Sequence, residues 1–287
     1  VSVVVSTPAV PVHDAAVRAA ADRLVAAETD RAPCPPVRDL IGRDDVDAAY
    51  AVQRVLHARA LGAGRQVSGR KIGLTSPAVR AQLGVDQPDF GFLYADMDAS
   101  ADDPVDPTRL LQPRIEAEVA FVLGADLDGP LDDATVTAAV AAVVPALEIV
   151  ASRVAGWDIS FADTVADNGS AGLYVLGSTR LAPLEFGDDL HEGLAALSMR
   201  MTRSSDRGEH QQVSAGTGRD CLGSPLAALG WLAETAVRHG EPLRAGQVVL
   251  SGALGPMVPI AAGDEFHAEI TGLGAVSARF APTPEDR

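Results

Sequence analysis

The stretch that most constrains this chain is "RIEAEVAFVL", Arg114 to Leu123. In an extended conformation Ile115, Ala117, Val119, Phe121 and Leu123 share one face, which is uniformly apolar. That face has to be covered by a core, so the stretch reads as a strand inside a packed sheet. Arg114, Glu116 and Glu118 share the other face. Residues two apart on a strand are roughly 6.5–7 Å apart, so the two carboxylates can converge on one ion. Like charges so close repel unless a cation lies between them. A hard divalent ion that prefers oxygen ligands, Mg²⁺ or Mn²⁺, suits such a pair. The same pattern also suits a half-exposed strand whose glutamates face water.

A second stretch bears on that choice. In "VVPALEIVASR", Glu148 is the only acid in an apolar run, and a buried glutamate is rare without a partner. Its partner is either an arginine, Arg153 or Arg114, or a metal ion shared with the first two glutamates. Lys71, in "GRKIGLTSP", is the only lysine of the chain. It is an anion anchor, a proton-transfer group or a plain surface lysine. "DQPDFG" places Asp86 and Asp89 in a loop, where aspartates usually form turns. "FADTVADNGSAG" gathers Asp163, Asp167, Asn168 and Ser170 in a polar loop, read as a turn or a lid. "LSGALGPM", Ser251 to Met257, is a glycine-rich loop after an apolar strand; its N–H groups suit an anion or simply a tight connection. The six histidines have no metal-ligand spacing, and the short glycine motifs lack the strand–loop–helix setting of a dinucleotide site.

Helical spacing marks His13 to Glu28 and Asp44 to Leu61, so residues 1–66 read as a helical N-terminal section. The remainder, 67–287, reads as one further domain. Ser76-Pro77 begins a short helix over "PAVRAQLG", and Thr135 to Val144 reads as a helix ended by Pro145. Short strands follow at "ALEIVAS" and "GLYVLGS". A hairpin turns at "DRGE", a helix runs from Pro225 to His239, and "QVVLSG", "EFHAEITG" and "AVSARFA" close the chain. Strands in runs with separate helices indicate an α+β fold with a rolled or barrel-like sheet. The net charge of −16 argues against nucleic acid and anionic membranes as partners. Cys34 and Cys221 fit no metal spacing and read as free thiols of a reducing compartment. The apolar start, "VSVVVSTPAVPV", lacks the basic region of a signal peptide, so the cytoplasm is expected.

Taken together, "GRKIGLTSPAVRAQLGVDQPDFGFLYADM", "LQPRIEAEVAFVLG", "PALEIVASR", "DTVADNGSAG" and "LSGALGPMVPIAAGD" closely resemble the 2-oxopent-4-enoate hydratases of the fumarylacetoacetate hydrolase superfamily, enzymes of meta-cleavage degradation of aromatic compounds. The resemblance runs from Pro36 to Phe280 in order; one departure is Gly169, where such hydratases often carry alanine. It implies the superfamily's rolled mixed β-structure with flanking helices, and it makes 67–287 the catalytic domain. It implies a Mg²⁺ or Mn²⁺ ion held by Glu116, Glu118 and Glu148, with Lys71 beside the substrate and Asp89 as the acid/base group. Lys71, Leu74, Arg114, Ser170, Ser251 and Gly252 would contact the substrate. The implied reaction is hydration of 2-hydroxypenta-2,4-dienoate to 4-hydroxy-2-oxopentanoate by a homo-oligomer, pentameric or decameric. Related 4-oxalocrotonate decarboxylases share the lysine and the three glutamates, so decarboxylation is the alternative. A non-catalytic subunit associated with such a decarboxylase is a third reading, against which the intact charged residues argue.

Overall fold

The structure, a computed structural model, describes residues 12–76, 87–204 and 210–282. The expected helix over "PAVRAQLG", Asp86 and the "DRGE" turn lie outside the described residues. Three helices come first: α1 (Val12–Asp30), α2 (Arg38–Ile41) and α3 (Val46–Gly62). Asp45 caps α3 by accepting from the Ala48 N–H at 2.9 Å. Its inner face carries Tyr50, Gln53 and His57, all buried.

The main sheet has the order β2-β1-β8-β3-β4-β5, with β9 (Val258–Pro259) paired to β3. Its strands are β1 (Val67–Gly73), β2 (Asp89–Tyr94), β3 (Arg114–Leu123), β4 (Val140–Val150), β5 (Leu173–Leu176) and β8 (Val248–Ala253). β1 and β8 run parallel and the remaining pairs are antiparallel. A second, antiparallel sheet, β11-β10-β6-β7, is built from β6 (Ser198–Ser204), β7 (His210–Thr217), β10 (Glu265–Ile270) and β11 (Gly274–Arg279). β11 packs on β4 and β5, which ties the sheets together. The short helices α4 (Asp133–Ala139), α5 (Phe161–Ala166) and α6 (Leu190–Ala195) and the longer α7 (Pro225–Arg238) flank them. Ser224 caps α7, Pro225 opens it, and Gly240 at φ +76° follows its end. This is the expected α+β architecture with a curled sheet.

Three expectations are corrected. The helix over Thr135 to Val144 is only α4, ending at Ala139, and Val140 begins a strand that runs through Pro145. The run of valines and alanines pairs along β3 instead, with Val119 opposite Pro145. The carbonyl of Pro145 accepts from Gly177, just past the end of β5, so the proline's missing N–H falls at a strand margin where it is tolerated. Asp89 is not in a loop but is the first residue of β2. "FADTVADNGSAG" forms α5 and a tight turn, and both are buried.

Candidate metal and acid/base centre

Five neighbouring strands, β2, β1, β8, β3 and β4, each place polar groups at one locus. The β3/β4 register sets Glu116 directly opposite Glu148, with Glu118 two residues along β3. One ligand oxygen from each of these glutamates lies within 4.8 Å of the others. Glu118 and Glu148 are 0% and 1% exposed while Glu116 is half-buried, so the half-exposed reading of β3 fails at Glu118 and holds only for its first residues. Lys71, 3% exposed, comes from β1 and puts its Nζ 3.2 Å from Glu148 Oε1. β1 and β4 are three strand steps apart, about 14 Å on a flat sheet. Side chains stand roughly perpendicular to a sheet, so this contact is a consequence of the curl.

The arginines have other partners. Arg153 pairs with Asp167, and Arg114 lies with its guanidinium carbon 4.5 Å from the Trp157 ring centre. Glu148 is therefore paired with the lone lysine.

The glycine-rich stretch after β8 has a local cause and a local effect. The β3/β8 register slips by one residue between Glu118 and Ala120, a bulge that absorbs Ser251 or Gly252. Gly252 sits at φ +107°, and a Cβ there would fall 2.5 Å from Thr75. This backbone lets the Gly252 N–H donate to Glu118 Oε2 at 2.8 Å. The anion bound by this N–H is thus Glu118 itself. The Cys221 thiol donates to the Ser251 carbonyl at 2.9 Å, and burial, with Glu118 nearby, pushes it up to about 12. It is an inert hydrogen-bond donor that holds the bulge.

Lys71 is packed between glycines. A Cβ on Gly91 would lie 3.2 Å from Lys71 Cδ, and one on Gly169 would lie 3.1 Å from it. Gly169 belongs to a turn in which Asn168, Gly169 and Ser170 all have φ between +52° and +61°. Left-handed backbone at non-glycine residues is costly and needs support. Asn168 supplies some: its side chain accepts from Phe92 N at 2.8 Å and donates to Phe92 O at 3.0 Å. The buried Asp167 supplies more, accepting from Ser152, Arg153 and Ser170.

Asp89 sits opposite Gly73, where a Cβ would lie 2.1 Å from Asp89 Oδ1 and 3.4 Å from Lys71 Nζ. Its Oδ2 accepts from Thr164 Oγ1 at 3.0 Å. Among the expected substrate contacts, Gly252 borders Glu118, Leu74 follows β1 at φ +57°, and the buried Ser251 hydroxyl has no hydrogen-bond partner among the described residues. The Ser170 hydroxyl is turned to Asp167 at 3.3 Å, and Arg114 Nη1 lies 3.8 Å from Met257 Sδ.

The electrostatics follow from burying four acids with one base. Burial alone would push Lys71 down. Glu148, then Asp89, Glu116 and Glu118, outweigh it and hold the ammonium above its ordinary value. Burial and then Glu148 raise Glu116 to about 7 and put Glu118 well above the carboxylate range. Burial also raises Glu148 and Asp89, against the pull of Lys71. Among the described residues, Asp89 Oδ1 and Glu118 Oε1 are buried without hydrogen-bond partners, and Glu148 has no partner beyond its ion pair with Lys71. Unpaired buried charge of this kind calls for a cation. The all-oxygen donor set and its spacing fit a hard divalent ion and offer nothing to a soft one.

Sequence reasoning reached the charged groups but missed Thr164, Gln53 and the glycines around Lys71. Thr164 and Gln53 carry no local signal; only the fold puts them beside Asp89 and its neighbours.

Residues 72–281 match the family model for the fumarylacetoacetate (FAA) hydrolase C-terminal region. The TodF product hydratase of Pseudomonas putida strain F1 is 52% identical over 267 residues, covering 93% of this chain and 96% of that protein. The 2-keto-4-pentenoate hydratase 2 of Dechloromonas aromatica strain RCB is 50% identical over 266 residues, covering 92% and 97% respectively. A solved structure, 4-oxalocrotonate decarboxylase from Pseudomonas putida G7 complexed with magnesium and adipate, is similar with a TM-score of 0.82 at 33% identity, covering 93% of this chain and 98% of that one.

Proposed function

The chain belongs to the fumarylacetoacetate hydrolase family, and from that premise we propose that it is a hydro-lyase that hydrates 2-hydroxypenta-2,4-dienoate, the enol of 2-keto-4-pentenoate, to 4-hydroxy-2-oxopentanoate. The observation that carries this reading is the buried cluster of Glu116, Glu118 and Glu148 with Lys71 and Asp89, in a chain half identical to named hydratases.

Glu116, Glu118 and Glu148 would hold a Mg²⁺ or Mn²⁺ ion. When bound, the ion supplies Lewis acidity toward the 2-oxygen and a carboxylate oxygen of the substrate. The three glutamates exceed a dication by one negative charge. Lys71, the cation among them, offsets that charge and attracts the substrate carboxylate. In the reaction the enol O–H proton is lost, C5 gains a proton, and the C2 oxygen becomes a ketone. Water then adds its hydroxyl at C4 and a proton at C3. Asp89 exchanges these protons; its raised affinity for a proton suits a group that must give one up and take one back. The Gly252 N–H keeps Glu118 aimed.

We further infer a cytoplasmic homo-oligomer of five or ten copies, which can associate with a related decarboxylase. The two buried free cysteines support the compartment. Among the described residues, no helix is long and apolar enough to cross a membrane. Light scattering of the purified protein tests the copy number.

The decisive assay follows the loss of dienol ultraviolet absorbance with five- and six-carbon substrates, with and without EDTA. Metal-dependent loss with formation of the 4-hydroxy-2-oxoacid is expected. The likeness to 4-oxalocrotonate decarboxylase supports one other reading. Release of CO₂ from 2-oxo-3-hexenedioate, without hydration of the dienoate, would establish it.

A further inference from the structure

A carboxylate that exchanges protons with a substrate needs one oxygen open and the other restrained. Asp89 meets both conditions. Among the described residues its Oδ1 is buried without a hydrogen-bond partner, over Gly73 and on the side of Lys71. Its Oδ2 accepts from the Thr164 hydroxyl at 3.0 Å. Among the described residues, this is the one side-chain hydrogen bond found for that hydroxyl.

Thr164 is itself held from several directions. It lies in α5, whose start is closed by a reciprocal Ser160–Asp163 capping box. Asp163 also receives the Arg38 backbone N–H at 2.9 Å and its guanidinium at 2.7 Å. The Gln53 amide nitrogen of α3 then joins the two partners. It donates to Phe90 O at 2.7 Å and to Val165 O at 3.2 Å, the carbonyls of the residues that follow Asp89 and Thr164. One buried side chain thus sets the distance between the strand carrying Asp89 and the helix carrying Thr164.

We propose that Thr164 is a positioning residue for proton transfer: its hydroxyl donates to Oδ2, so the proton carried by Asp89 resides on Oδ1, the oxygen open to the site. The inference rests on the acid/base reading of Asp89 above. In the transfer, the Oδ1–H bond breaks as a C–H bond forms with the electron pair of the dienol. The negative charge left on the carboxylate is shared with Oδ2, where the hydroxyl's hydrogen bond becomes charge-assisted. Oδ1 regains a proton from the enol O–H as C2 becomes a ketone, then gives that proton to C3 and takes one back from the water whose oxygen adds to C4. Without the hydroxyl, either oxygen can hold the proton, and the carboxyl plane is free to turn.

The test compares Thr164→Val, Thr164→Ser and Asp89→Asn in the full chain with Mg²⁺. Thr164→Val is expected to lower kcat about 10–100-fold, with KM and calorimetric Mg²⁺ affinity within about threefold of wild type. The kcat–pH limb that depends on Asp89 should move to higher pH, because a hydrogen bond to the charged form is lost. Thr164→Ser should restore kcat to within about fivefold. If the valine variant melts far below wild type, Thr164→Ala against Thr164→Ser gives the same comparison. Wild-type kcat and pH profile in Thr164→Val, or equal losses in the serine and valine variants, would overturn the positioning role alone, provided Asp89→Asn is inactive. Near-wild-type turnover in Asp89→Asn would remove the acid/base reading and this inference with it.

Discussion

At the scale of single residues, the site depends on a lysine kept charged in a place that should neutralise it. Lys71 is buried, and its ammonium survives because four carboxylates surround it. Its aliphatic stem passes between Gly91 and Gly169, where neither neighbour has a side chain to displace it. Lys71→Met keeps the stem and removes the charge. It should lower kcat/KM about 10²–10⁴-fold, on the scale of losing a charged donor at a reacting centre. Steady-state kinetics at fixed Mg²⁺ checks this, and a loss under fivefold would remove the lysine from the site. Gly91→Ala probes the stem instead. The new Cβ would fall 2.1 Å from the Asn168 carbonyl, so the strand or the turn must shift. A loss of about 1–3 kcal/mol in stability is expected from such overpacking, measured by urea unfolding. Lys71 stood out in the sequence because it is the only lysine. Gly91 did not, because nothing local distinguishes a glycine that makes room from one that makes a turn.

At the scale of elements, the best-read parts were those whose signals are local. α7 has its cap, its opening proline and its closing glycine within the helix and its edges, and it forms where expected. β3 alternates as its side chains dictate, although Glu118 and Ala120 are buried on what looked like the polar face. β4 was misread because its first half has no turn signal against α4, and the choice between helix and strand was made by pairing with β3. α5 shows how a six-residue helix persists without length. Asp163 accepts from Ser160 and Arg38, and despite burial these bonds hold its carboxyl below the ordinary value. A carboxyl with a depressed folded-state pKa stabilises the fold above its unfolded pKa of about 3.9. That contribution is lost as pH falls through the folded value. Asp163→Asn should therefore destabilise the protein by about 3–5 kcal/mol near neutral pH, the scale of breaking a buried pair. The gap from wild type should narrow below about pH 4. Urea midpoints measured between pH 7 and pH 3.5 check both statements. A gap that stays constant across that range would assign the loss to packing.

At the scale of the whole molecule, the site is a property of sheet order. Asp89, Lys71, Gly252, Glu118 and Glu148 come from β2, β1, β8, β3 and β4, which are adjacent in space and scattered along the chain. The sequence alone could pair Glu116 with Glu118 through period two, but no periodicity could place Lys71 against Glu148 across two intervening strands. That contact needs the parallel β1/β8 pairing and the curl of the sheet. Without an ion the same arrangement is under electrostatic strain, since buried Asp89, Glu118 and Glu148 and half-buried Glu116 face one lysine. An ion that binds the folded cluster and not the unfolded chain must stabilise the fold, by about 2.7 kcal/mol at a hundredfold excess over its Kd. Wild-type protein should therefore melt several degrees higher in Mg²⁺ or Mn²⁺ than in EDTA. Glu118→Gln removes one proposed ligand and one repelling charge together. In EDTA this variant should be at least as stable as wild type, because the loss of repulsion offsets the weakened Gly252 contact. In Mg²⁺ it should gain much less than wild type does. Melting curves for the two proteins in both conditions separate the terms. A cluster that only braces the sheet would make the variant less stable in EDTA and leave its response to Mg²⁺ unchanged.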